Sequence, residues 1–307
     1  MSNNSHHWYG FFLSIMTAVL WGVLPITLQL SLVKMDAVTI TWYRLAVAAL
    51  LVFFLLKSRK GLPSLKSLAR SHYGFILLAG IGLTLNYVSY LAGLDKLNPE
   101  TAQVLIQVAP FLLMIGSVLF FKERLSRVEV LGGVVLFLGL LFFFNDKVSL
   151  FTSGEMSDYA LGFFLVLGAA FTWAAYALSQ KLLLKQLTPK QLTLFIYCIG
   201  VVALFPFSDL SQVFTMNFIQ FIALILCCLN TVFAYGAFAE ALNVWQASKV
   251  SAVIATAPIF TFVSVEVATL ISPENFESSQ LNLISYLGGG LVVVGSIMAA
   301  VGKNREA

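Results

Sequence analysis

The chain has 307 residues, 59% of them hydrophobic and only 10% charged, with a formal net charge of +4. A soluble domain carries about 25% charged residues, so this composition excludes a water-facing surface and, with it, an ordinary soluble enzyme. The apolar runs reach the roughly 18 residues that cross a bilayer, and the alternating segments of a membrane barrel are not seen, which predicts an all-α, polytopic membrane protein.

In chain order the apolar runs give ten transmembrane helices, at 9–30, 38–56, 73–94, 99–121, 128–145, 159–180, 190–207, 217–239, 247–270 and 283–302. The opening MSNNSHHWYG has no Lys or Arg before the first run, and no small-residue cleavage site follows. Span one is therefore expected to stay in the membrane rather than leave as a signal peptide. Cys198, Cys227 and Cys228 all fall inside spans and read as small buried hydrophobes, not as a disulfide or metal site. Alternate connections differ sharply in charge. One set (57–72, 122–127, 181–190, Lys249 and the C-terminal tail) holds 14 Lys and Arg; the other holds Lys34, Lys96 and Lys147, and Arg44 lies within span two. The basic set marks the cytoplasmic side, which places both termini there and the chain in an inner membrane. The positive charge is a topology signal, and the lipid bilayer, not nucleic acid, is the expected partner.

Span one opens GFFLSIMTAVLW (Gly10 to Trp21) and span six opens GFFLVLGAAFTW (Gly162 to Trp173), 152 residues later. The correspondence continues in order: LNYVSYLAGL (85–94) with LNTVFAYGAF (229–238), APF (109–111) with API (257–259), and LGGVVLFLG (131–139) with LGGGLVVVG (287–295). The chain therefore reads as two five-helix repeats, 9–145 and 159–302, joined by an outer linker at 146–158. Five is odd, so the second copy enters the membrane from the opposite side and the repeats are inverted. Many secondary transporters are built this way, with substrate near the midplane and two halves that rock to alternate access.

Three features together resemble the EamA-type members of the drug/metabolite transporter superfamily. These are the five-plus-five helices, the Trp in the first helix of each half, and the stretch LNPETAQVLIQVAPFLLMIGSVLFFKERLSRVEVLGGVVLFLG. Within that stretch the match lies in Ala102, Pro110, the Lys122-Glu123-Arg124 turn and the glycine-rich helix after it. The resemblance spans about 9–302; in the second half SPENFESSQLNLISYLGG stands in place of the tight charged turn. It implies export, more rarely uptake, of small metabolites, often amino acids.

A polar side chain in hydrocarbon is costly unless it faces the bundle interior or a wet cavity, so polar residues within spans form the candidate site. Gln103 and Gln107 lie one turn apart on span four, with Pro110 near the next turn. Pro110 has no N–H and leaves the carbonyl of residue 106 to a neighbour or water. Two amides beside an opened backbone suit a polar solute; the same amides also suit helix–helix ties. Asn86 and Tyr90 share a face of span three beside Tyr87, and Asn230 is the repeat partner of Asn86. Trp21 and Trp173 sit at mid-span rather than in the interface belts, as candidate cavity walls, with Tyr176 close to Trp173. In span nine Ser251 and Thr256 flank the approach to Pro258, a second expected helix break. Arg44 is read chiefly as an anchor of the bundle, with pairing to a substrate carboxylate as the alternative. Glu240 and Glu266 are candidates for a coupling proton. Gly132 and Gly139, like Gly288 and Gly295, recur at seven on one helix face, for close approach between the halves or in a homodimer.

Enzyme chemistry has no residues to rest on. His6, His7 and His72 all lie in cytoplasmic segments, and no HExxH pair, GxSG-type turn, paired aspartates or Walker-type loop appears. No catalytic residue, metal or cofactor is expected. A channel needs a filter-like stretch, which is not seen. The sequence predicts an exporter of small polar metabolites, amino acids or related compounds, working by alternating access, with uptake or a passive facilitator as alternatives.

Overall fold

Polar capping residues and prolines between the apolar runs set where helices start and stop. The computed structural model describes residues 2–63, 70–122, 125–147, 157–184, 186–245, 247–273, 276 and 281–301. Among the described residues are twelve α-helices and no strand: α1 (Ser2–Leu32), α2 (Ala37–Ser58), α3 (Arg70–Leu94), α4 (Pro99–Leu105), α5 (Val108–Phe121), α6 (Arg127–Phe143), α7 (Asp158–Leu183), α8 (Pro189–Leu204), α9 (Phe218–Val244), α10 (Ala247–Ile254), α11 (Ala257–Ile271) and α12 (Leu283–Val301). Asp36, Asn98, Ser126, Ser157, Thr188 and Asn217 cap α2, α4, α6, α7, α8 and α9, each accepting a first-turn backbone N–H. Each such cap is worth about 1 kcal/mol. At Ser126, Thr188 and Asn217 the bond is returned by Glu129, Gln191 and Gln220.

Nine described segments are long and apolar enough to cross a membrane. The expected fifth span, α6, has 17 residues, about 25 Å of helix and within the length range of membrane spans. Two of the expected spans are interrupted near the prolines that the sequence marks as helix breaks. Span four is α4 and α5 with a break at Ile106–Gln107, and span nine is α10 and α11 with a break at Ala255–Thr256. The prolines cause both: Pro110 has no N–H for the carbonyl of Ile106 and Pro258 none for the carbonyl of Ile254, the last residue of α10. The carbonyl of Ile106, expected to need a neighbour or water, instead accepts the N–H of Ala109 at 2.9 Å, a tighter turn. Thr256 N–H likewise bonds the Val253 carbonyl at 3.1 Å.

Connections alternate between the two ends of the bundle. At one end Lys96 meets Asp158 (Nζ to Oδ1 2.7 Å), and the Asp36 N–H bonds the Gln212 side chain at 2.9 Å. At the other Gln191 bonds the Gly61 carbonyl, and Trp245 Nε1 bonds His7 Nδ1. The described basic residues Lys57, Arg59, Lys60, Lys122, Arg127, Lys181 and Lys190 all belong to this second end, with the start of α1.

The main packing partners lie in opposite halves. They are α6 with α12, α3 with α7, α1 with α9 and α2 with α8; smaller contacts join α1 to α11 and α5 to α7. Exchanging the first six helices for the last six in order (α1 for α7, α2 for α8 and so on) leaves this set of pairs unchanged. Large apolar side chains such as Phe54, Phe120, Phe137, Val202 and Leu270 are exposed on the outside, whereas Thr41, Asn86, Gln103, Gln107 and Thr231 are buried inside, the inside-out distribution of a protein solvated by lipid.

The tightest seam is α6 against α12. A methyl group added at Gly139 would lie 2.6 Å from the Val292 nitrogen and 2.9 Å from the Gly288 carbonyl oxygen, and Gly132 meets Gly295 and Ala299 in the same way. Both glycine pairs are therefore filled by the other half of the same chain. That answers the choice left open by their spacing, since these faces are not available to a homodimer. Gly139→Val is expected to destabilise the protein by about 3 kcal/mol, because backbone cannot give way as a side chain can. Gly290→Ala, where nothing lies within 4 Å, should be neutral. Thermal unfolding of the two variants in detergent checks this, and equal stabilities would contradict the seam.

Candidate substrate site

The two helix breaks face each other. Each lies about 10–12 Å along its span from opposite ends of the bundle, at 1.5 Å per residue, so the two meet near the middle. There Gln107 Nε2 donates to the Ala255 carbonyl at 2.9 Å. By the alignment of APF with API, Ala255 is the repeat partner of Gln107, so this bond joins equivalent points of the two halves. One turn earlier, Gln103 accepts the Tyr90 hydroxyl at 3.1 Å, tying α4 to α3. Both glutamines are 7% exposed.

The two asparagines also act across the halves. Asn86 Nδ2 donates to the Ala169 carbonyl on α7 at 2.9 Å, and Asn230 Nδ2 to the Leu20 carbonyl on α1 at 2.6 Å. The equivalence is close to symmetric: in each half the third helix reaches the first helix of the other. The Asn230 Oδ1 is buried with no partner among the described residues. In this state the amides serve as ties between helices.

Trp21 packs edge-on to Tyr235 (ring centroids 5.2 Å) and beside Phe238 (5.6 Å), while Trp173 meets the buried Tyr176 at 6.4 Å. Tyr235 continues to Tyr87 (6.1 Å), and Tyr87 lies under the Arg44 guanidinium, 4.5 Å from the ring centroid. An aromatic chain thus runs from Trp21 to Arg44 between the halves. Pro110 is exposed on the outside of the bundle and Pro258 is buried, so the two prolines act through the backbone they interrupt. Thr256 Oγ1 bonds locally to the Val253 carbonyl at 2.6 Å; the Ser251 side chain lies outside the described ones. Glu240 is half-buried and Glu266 exposed, and neither forms an ion pair among the described residues.

Sequence reasoning missed three participants. Glu100, in the first turn of α4, is 1% exposed, yet in LNPETAQ it reads as an ordinary helix-start acid. Tyr197 and Tyr235 pass for apolar span residues because nothing local marks the interior face.

A cavity of about 570 Å³ opens at the end opposite the basic connections, lined by Leu32, Lys34, Asp36, Ala37, Ala92 and Asp95 among others. Its lining comes from the ends of α1 and α3, the start of α2 and the segment around Gln212 and Thr215. At the same end Asp209 accepts bonds from the Ser211 N–H and hydroxyl (3.0 and 2.6 Å), which hold its carboxyl below the usual carboxylate range.

Comparison with known proteins gives a consistent result. The EamA-like transporter family matches the chain twice, over residues 8–145 and 160–301. An "Uncharacterized transporter" of Haemophilus influenzae is 40% identical over 294 residues, 95% of each chain. The "Uncharacterized inner membrane transporter YhbE" of Escherichia coli K12 is 36% identical over 295 residues, 95% of this chain and 91% of its own. More distantly, a "Probable amino-acid metabolite efflux pump" of Escherichia coli K12 is 21% identical over 307 aligned positions, 92% of each chain. A solved structure described only as "Crystal structure of protein" shares the fold, with a TM-score of 0.65 at 13% identity over 99% of this chain and 100% of its own.

If Asn86 and Asn230 are ties, Asn86→Ala and Asn230→Ala should each lower stability by about 0.5–1.7 kcal/mol, and the double variant should show the sum. Thermal unfolding in detergent measures this. An Asn86→Ala variant as stable as wild type would show that its amide holds nothing together.

Proposed function

The chain belongs to the EamA-like transporter family, and from that premise we propose that it exports small polar metabolites, amino acids or related compounds, by alternating access. The proposed repeats are 9–145 and 159–302, related by inversion, with the 146–158 linker between them. The carrying observation is the Gln107–Ala255 bond, in which two broken helices from opposite halves complete each other at the centre of the bundle. Interrupted helices at the midplane are where secondary transporters hold substrate. Substrate entering there takes over the amides of Gln107, Gln103, Asn86 and Asn230, and Trp21, Trp173, Tyr90 and Tyr176 wall its apolar part. Releasing the cross-half bonds frees the halves to move relative to each other, which couples binding to the change of access. Glu240 and Glu266 remain the candidates for carrying a coupling proton in this scheme.

The export direction and the amino-acid class draw support from the distant efflux-pump relative. The inner-membrane location, with both termini in the cytoplasm, draws on the YhbE relative and on the gathering of basic residues at one end.

Mass-spectrometric survey of spent medium tests the proposal, comparing cells that overproduce wild type with cells producing Gln107→Ala at matched membrane levels. The expected result is one metabolite class that accumulates outside with wild type and falls at least about tenfold with Gln107→Ala, the loss of roughly 1.4 kcal/mol of substrate interaction. Accumulation unchanged by Gln107→Ala would overturn the site. No wild-type accumulation, with no uptake in the converse assay, would overturn the transport reading.

A further inference from the structure

The interior holds a cation that the proposed function does not use. Arg44 lies in the middle of the bundle and is only 3% exposed. A buried charge demands an opposite charge, because desolvation penalises it severely otherwise. Yet no ion pair among the described residues includes Arg44; the two they form are Lys96–Asp158 and Lys147–Asp146, both at the bundle end. Among the described residues, the side chains in contact with the guanidinium are neutral. Its Nε donates to Thr231 Oγ1 at 3.0 Å, and the ring of Tyr87 lies against it. Tyr90, Tyr197 and Tyr235 are within its electrostatic reach. Its two Nη groups make no hydrogen bond among the described residues.

Thr231 is not free to be turned into a better partner, since its own hydroxyl donates to the Cys227 carbonyl at 3.0 Å. Thr231 and Tyr87 therefore fix the guanidinium plane and leave the outer edge, with its paired N–H donors, uncommitted. That edge matches one carboxylate in the two-pronged geometry arginine favours. A single positive charge in a site without a second cation balances a single negative charge, which suits a carboxylate better than a phosphate dianion. The nearest opening lies at the end of the bundle from which α2 starts, with the buried Ile40 and Thr41 between it and Arg44. Ala37, two helical turns before Arg44 and on the same face of α2, lines the open cavity.

We infer that Arg44 is the counter-charge for a carboxylate carried by the transported solute, so that the substrates are acids or zwitterions and not neutral or purely cationic compounds. This rests on the transporter reading above. It adds the chemical group that must be present and the residue that recognises it.

Purified full-length protein in proteoliposomes provides the test. The probe is the metabolite returned by the medium survey, together with the same compound carrying a primary amide in place of its acid group. Wild type should transport the acid at least about tenfold faster than the amide, the discrimination expected from one charged hydrogen-bonded pair. Arg44→Gln should lose about tenfold or more on the acid with the amide rate unchanged, a selectivity change that a purely structural anchor would not produce. Equal rates for acid and amide in wild type would overturn the inference and leave transport itself intact. Wild-type acid transport by Arg44→Gln, or a surveyed metabolite with no acidic group, would do the same. Where Arg44→Gln does not yield folded protein, the wild-type acid-to-amide ratio decides alone. Absence of any transported metabolite would instead remove the reading beneath.

Discussion

Backbone polar groups inside a bilayer must find partners within the protein, and a broken helix leaves some of its groups without their regular ones. This constraint organises the molecule. Each half interrupts its fourth helix near the centre, at Ile106–Gln107 and Ala255–Thr256, and each interruption tightens into a local turn. One side chain then crosses between them, Gln107 to the Ala255 carbonyl. Placing the two breaks opposite each other requires helices from different halves to interleave, and the main packing pairs are indeed all between halves.

The contacts that hold the halves together are of two kinds. Along α6 and α12, glycine brings backbone against backbone with no side chain between, which makes that seam stiff. Deeper in the bundle, the ties are single amide bonds from Asn86, Asn230 and Gln107 to carbonyls of the other half. A hydrogen bond of that kind is worth about 0.6 kcal/mol on average in a membrane protein, so it is readily exchanged for a bond to a solute. Stiff edges with exchangeable central ties fit the alternating access proposed above.

Much of this was legible in the sequence because it depends on local signals. The long apolar runs marked the helical membrane spans, and the glycines at spacing seven marked the seam. Pro110 and Pro258 signalled interruptions, although not that two continuous spans become four helices. What sequence could not supply was the identity of partners. Gln107 bonds a backbone carbonyl 148 residues away, and a carbonyl carries no residue-specific signature. Tyr235 and Tyr197 face the interior only because of how α9 and α8 are rotated in the bundle. Glu100 looked like a helix-start acid and proved to be almost wholly buried. The glycines are a related case, since their spacing reveals a close-packing face but not which helix fills it.

Alternating access makes one demand that no pore meets: the site must return before it can carry again, and unlabelled solute on the inner side competes with label for that return. Counterflow in proteoliposomes measures this directly, with labelled solute outside and a large excess of the same solute, unlabelled, inside. The account predicts a transient accumulation of label above its equilibrium level, driven by the internal solute. Entry of label at a rate indifferent to the internal solute would contradict it and show a passage open to both sides at once.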